Sequence, residues 1–94
     1  MKEVTFFYVA GCPYCTQARK AIEELRKEDP RFADVVFNEI DEHKDEELAA
    51  QYDYWATPAM FIGKEKIYEG KLFESYNSAK QNVRRVMEAA VAAE

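Results

Sequence analysis

Cys12 and Cys15 stand two residues apart in the stretch VAGCPYCTQARK, and they are the only cysteines in the chain. A close thiol pair of this kind suits a structural disulfide, half of a metal site, or a reversible dithiol–disulfide couple. The staple is weak: so small a loop adds only about 2 kcal/mol even in the optimistic loop-entropy account. A zinc site usually takes four ligands, and His43 is the only histidine, so a metal would have to be shared with a second chain. His43 itself lies in the polar run DEHKDEE and reads as a solvated loop residue. The redox couple needs nothing beyond the two thiols.

Their spacing suits that couple. Residues three apart on a helix have β-carbons about 5–6 Å apart, and a disulfide wants α-carbons about 4.4–6.8 Å apart, so small adjustments make or break the bond. Pro13 fits the first position of a helix, where its missing N–H costs nothing. Cys12 then stands at the helix cap, where free N–H groups favour a thiolate and thiol pKa values fall from about 8.5 to roughly 3.5–7.5. Cys15 falls on the apolar stripe with Ala18 and Ile22. The expected chemistry follows: Cys12 attacks a substrate disulfide, and Cys15 resolves the mixed disulfide.

The elements that position these thiols are legible from periodicity. EVTFFYV, residues 3–9, is apolar and β-branched on both faces and predicts a buried central strand. From Pro13, the residues Cys15, Ala18, Ile22 and Leu25 recur at helical spacing until the chain approaches Pro30. DVVFNEI, 34–40, predicts a second strand, and Asp45 or Asp41 can cap a second helix running to about Tyr52. Pro58 interrupts the chain. AMFI, 59–62, and KIYEG, 66–70, flank Gly63-Lys64-Glu65 as a hairpin. Val83, Val86, Met87, Ala90 and Val91 then mark a third amphipathic helix. The order β-α-β-α-β-β-α, with a right-handed crossover first, predicts an α/β protein whose four-stranded mixed sheet is flanked by three helices: the minimal thioredoxin fold.

With 94 residues and 48% hydrophobic content, residues 1–94 are expected to form one domain. A net charge of −5 opposes binding to a phosphate backbone. The basic group Lys80, Arg84 and Arg85 reads as a solvated helix face. Val9-Ala10-Gly11-Cys12 looks like a lipoprotein cleavage box, but the apolar run Val4–Val9 is shorter than the roughly 7–15 residues of an export signal, and no run approaches a membrane span of about 20 residues. A cytoplasmic location is therefore expected, where ordinary cysteines stay reduced.

VTFFYVAGCPYCTQARKAI resembles the active-site segment of glutaredoxins, whose centre is Cys-Pro-Tyr-Cys. The resemblance implies a cis-proline facing the cysteines, and Ala56-Thr57-Pro58 matches that position, with the Thr57 backbone pairing an extended substrate. It also implies glutathione as a co-substrate. Two features depart from the family: Val9 replaces a glutathione-binding lysine, and Glu69-Gly70-Lys71-Leu72-Phe73 replaces a Gly-Gly-x-Asp-Asp segment. Residues 36–70 are similar to thioredoxins, although Phe6 occupies the place of their buried aspartate.

The sequence thus predicts a monomeric thiol-disulfide oxidoreductase with no bound cofactor or metal, acting on disulfide-containing proteins and recharged by glutathione or a thioredoxin reductase. Cys12 and Cys15 are the expected catalytic residues, and Pro13, Tyr14, Trp55, Thr57, Pro58 and Gly70 the expected substrate-binding ones. Tyr14, taken to lie in a loop between the cysteines, stands in the path of substrate. Tyr52, Tyr54 and Trp55 read equally as packing and as an apolar lip for partners. The rival is an iron-sulfur or zinc carrier that shares Cys12 across a dimer, with visible colour as its sign.

Overall fold

Val4 to Tyr8 form β1, whose alternate side chains are apolar on both faces. The strand is accordingly central in the sheet, with parallel β2 (Phe37–Asp41) on one side and antiparallel β3 (Ala59–Ile62) on the other. In the computed structural model, which describes residues 1–93, β4 (Glu65–Glu69) completes the order β2-β1-β3-β4. Helices α1 (Pro13–Glu28), α2 (Glu46–Ala49) and α3 (Tyr76–Ala92) complete the expected thioredoxin-like layout. Among the described residues no helix is long and apolar enough to cross a membrane.

The two faces of β1 feed two cores. Val4 and Phe6 pack with Ala18, Ile22 and Leu25 of α1 and Val83, Val86 and Met87 of α3. Phe7 turns the other way, joining Phe61 and Ile40 under Tyr52, Tyr54 and Leu48. Burial of each large apolar side chain is worth about 1.5–3 kcal/mol, so β1 is held from both sides and its C-terminal end is a firm base for the cysteine turn. At the far end of the sheet, only Gly63 of the two turn residues Gly63 and Lys64 has positive φ (61°), the pattern of a type II′ hairpin.

Boundaries differ from expectation where local hydrogen bonds outbid apolar pattern. The second strand begins at Phe37 rather than Asp34, because Pro30–Phe32 form a 3-10 turn capped by Asp29. Val35 is bound into that turn: its N–H donates to Phe32 O and its carbonyl accepts from Arg26. Asp45, not Asp41, caps α2 by accepting from Leu48 N–H, and Asp41 accepts instead from His43 N–H. The helix stops at Ala49 rather than Tyr52. Ser75 caps α3 through Ser78 N–H, so this helix starts about two turns before the apolar stripe that opens at Val83. The basic group is not merely solvated, since Lys80 pairs with Glu24 and Glu28, and Arg84 with Glu28, joining α3 to α1.

Candidate active site

The turn after β1 delivers the first thiol. Cys12 N–H donates to Val9 O at 3.1 Å, and Gly11 at the third turn position has φ 80°, a value that favours glycine in a type II turn. Cys12 is then the N-cap of α1 and Pro13 its exposed first residue. Cys12 is half-buried, Cys15 is fully buried one turn further in, and both are free thiols.

The two sulfurs are electrostatically unlike. Burial pushes the Cys12 thiol up, but the Cys15 side chain and N–H, the Thr57 hydroxyl and the Tyr14 N–H together outweigh it and bring it below its ordinary value. This is the helix N-terminus at work on a thiolate. Burial first, and then the neighbouring Cys12 sulfur, push Cys15 the other way, to about 11, against the pull of the Val9 backbone and the Thr57 hydroxyl. Of the two thiols Cys12 therefore ionises first, and the proton stays longer on Cys15.

The expected substrate residues divide. Thr57 reaches the site: its hydroxyl donates to Cys12 Sγ at 3.8 Å. The Thr57–Pro58 peptide bond is cis, as the resemblance implied, and Pro58 is buried against Gly70. A Cβ on Gly70 would lie 2.6 Å from Pro58 Cδ, so only glycine fits there without displacement. Tyr14 is not in a loop: it lies in the first turn of α1, and its hydroxyl accepts the Phe73 N–H at 2.7 Å. It acts as a strut between the cysteine turn and residues 70–75.

The aromatic trio also separates. Tyr52 and Tyr54 pack on Phe7, the latter stacked at 5.1 Å between ring centroids, and Tyr54 donates to Glu42. Trp55 is 91% exposed. Leu72 and Phe73, 73% and 86% exposed, lie beyond Gly70 and were missed as a surface feature by sequence reasoning; two adjacent apolar residues between Lys71 and Glu74 were the available signal. Phe73 adopts φ 63°, uncommon for a bulky residue, and its N–H is the one Tyr14 holds.

Phe6 is fully buried in the same core cluster as Cys15, with no carboxylate on that strand. Among the described residues the buried acid is Glu74, which accepts from the Tyr68 hydroxyl, Ser78 Oγ (2.9 Å) and Asn82 Nδ2 (3.1 Å). Among the described residues no group of three or more His, Cys, Asp or Glu side chains is arranged to hold a metal ion.

No family model and no curated protein matches the chain. Among solved structures it is similar to that of a malarial protein, with a TM-score of 0.56 and 20% identity over 89% of this chain and 94% of the other. That likeness shows a shared fold.

Proposed function

We propose that the protein is a glutaredoxin-like thiol-disulfide oxidoreductase that reduces protein disulfides or mixed disulfides in the cytoplasm. The observation that carries this reading is the unequal thiol pair: Cys12, half-exposed at the cap of α1 and lowered in pKa, over Cys15, buried and raised to about 11. A nucleophile must be a thiolate and accessible, whereas a resolving thiol must wait.

The Cys12 thiolate attacks one sulfur of a substrate disulfide, forming a Cys12–substrate bond and expelling the other sulfur as a thiolate that takes up a proton. Formation of this mixed disulfide removes the charge on Cys12, which is among the causes that hold Cys15 protonated. Cys15 therefore loses its proton more readily after the first step than before it. Its thiolate then attacks Cys12 Sγ and releases the second substrate thiolate. Two electrons pass to the substrate, and the protein is left with a Cys12–Cys15 disulfide. Two glutathione molecules, or a thioredoxin reductase, return the pair to dithiol.

Support for a polypeptide substrate comes from exposed Trp55, Leu72 and Phe73, which lie on the two segments tied to the cysteine turn, 55–58 through Thr57 and 70–73 through Tyr14. Exposed aromatic and aliphatic side chains of this kind suit protein contacts. The test is NADPH consumption during reduction of a disulfide-bonded protein, with glutathione and glutathione reductase in one arm and thioredoxin reductase in the other. Turnover in either arm that vanishes in Cys12→Ser, together with a trapped mixed disulfide in Cys15→Ser, is expected. Equal residual turnover in the two variants would overturn the assigned roles.

A further inference from the structure

Residues 55–58 belong to no helix or strand, yet they carry the hydroxyl that meets Cys12. Their position is set from β4. The Glu69 carboxylate accepts the N–H groups of both Trp55 and Ala56 on one oxygen, the latter at 2.7 Å, and pairs through its other oxygen with Lys66 at 2.9 Å. The next residue continues the grip: Gly70 N–H donates to Pro58 O at 2.7 Å and packs against Thr57 O. Two consecutive residues at the end of β4 thus hold the chain on both sides of Thr57.

We propose that Glu69 is a positioning residue for the nucleophile, its carboxylate fixing the Trp55–Ala56 backbone so that the Thr57 hydroxyl stays within reach of Cys12 Sγ. The inference rests on the reading of Cys12 as the attacking thiol. Its physical basis is the length of the Thr57–Cys12 contact: at 3.8 Å it has little slack before the hydrogen bond is lost, because such bonds weaken steeply with distance and misalignment. Without an acceptor at Glu69, the amides of Trp55 and Ala56 turn to water, and the nearest upstream anchor becomes Tyr54, held by Phe7 and Glu42 three residues before Thr57. A carboxylate accepting backbone N–H groups makes charge-assisted bonds, and Lys66 is the cation that faces it. Glu69 touches neither sulfur in this arrangement. Its influence passes through Thr57.

The test is the pH midpoint for alkylation of Cys12 by iodoacetamide, followed with the site of modification identified, alongside thermal unfolding of each variant. Glu69→Ala is expected to move the midpoint upward by roughly half a unit, a modest fraction of what a hydrogen bond to a charged group can contribute. Glu69→Asp, which keeps the charge but retracts it by one methylene, should move it the same way, and Glu69→Gln, which keeps an acceptor of the right length, should restore most of it. Thr57→Val should raise the midpoint by itself, and adding Glu69→Ala to it should change nothing further, since residues acting through one contact are not additive. Folded Glu69→Ala and Glu69→Asp proteins with the parent's midpoint would overturn the proposal, as would additive shifts in the double variant; Glu69→Asp serves where the alanine variant does not fold. A parent protein whose Cys12 reacts like an ordinary thiol and reduces no disulfide would instead sink the oxidoreductase reading, and this proposal with it.

Discussion

Gly70→Ala should damage the site more than it damages the fold. The added Cβ would stand 2.6 Å from Pro58 Cδ, 3.0 Å from Thr57 O and 3.1 Å from Pro58 N. Ordinary van der Waals contact begins at 3.4 Å, so the Pro58 ring or the end of β4 must move by about 0.8 Å. Overpacking of this kind costs about 1–3 kcal/mol, and in a domain of this size each kcal/mol lowers Tm by roughly 4–8 °C. The displaced atoms adjoin Thr57, whose hydroxyl meets Cys12, and a misplacement near 1 Å can cost about 100-fold in rate. A loss of roughly 10- to 100-fold in kcat/KM for a disulfide-bonded protein is therefore expected. Gly63→Ala is the control: nothing lies within 4 Å of its Cβ, but its φ of 61° makes alanine unfavourable by about 1–2 kcal/mol. It should lose comparable stability in a denaturant melt with activity unchanged. Equal activity in the two alanine variants would refute the idea that contact with Pro58, rather than general destabilisation, governs the site.

Tyr14→Phe removes the acceptor of the Phe73 N–H; hydrogen exchange at Phe73 should accelerate, with a stability loss of only about 0.5–1.5 kcal/mol, and unchanged exchange would deny Tyr14 its role as a strut. Glu74→Ala strands the buried Tyr68 hydroxyl along with the donors of Ser78 and Asn82, so a loss of about 3 kcal/mol and a Tm lower by more than 10 °C are expected on thermal unfolding, against a smaller loss for Glu74→Gln. Alkaline pH should weaken the fold. Burial first, and then Glu74, Glu42 and Glu24 respectively, raise the phenols of Tyr68, Tyr54 and Tyr76, the last to about 12. The native state therefore keeps protons that the unfolded chain releases near pH 10, so this stabilisation is complete below about pH 10 and declines above it. Urea midpoints that hold to pH 10 and fall at pH 11 would agree; midpoints that rise there would contradict the sign.

The order of elements, the double-faced burial of β1 and the placing of Cys12 at a helix cap with Cys15 beneath it were all determined by the sequence alone. Each is a local matter: hydrophobic period, the preference of Pro13 for a first helical turn, and the one-turn spacing of the thiols. Even the strand limits that went astray did so locally, where the Asp29 cap and the 3-10 turn satisfied Val35 before the sheet could. The partition of Tyr52, Tyr54 and Trp55 was not legible, because all three are aromatic and only the position of Phe7 and Phe61 decides which rings have something to cover.

What only the tertiary structure decided is how the thiols are tuned. The Thr57 hydroxyl meets Cys12 across 45 residues, Tyr14 holds Phe73 across 59, and Glu69 holds Trp55 and Ala56 across 14 and 13. Such pairs leave no periodicity in the chain, since a hydrogen bond depends on tenths of an ångström and on direction, while the apolar pattern that sets the fold tolerates much coarser placement. The carboxylate of Glu69 in EKIYEG reads as one more exposed strand residue until β3 and β4 pair and bring the 55–58 segment alongside it.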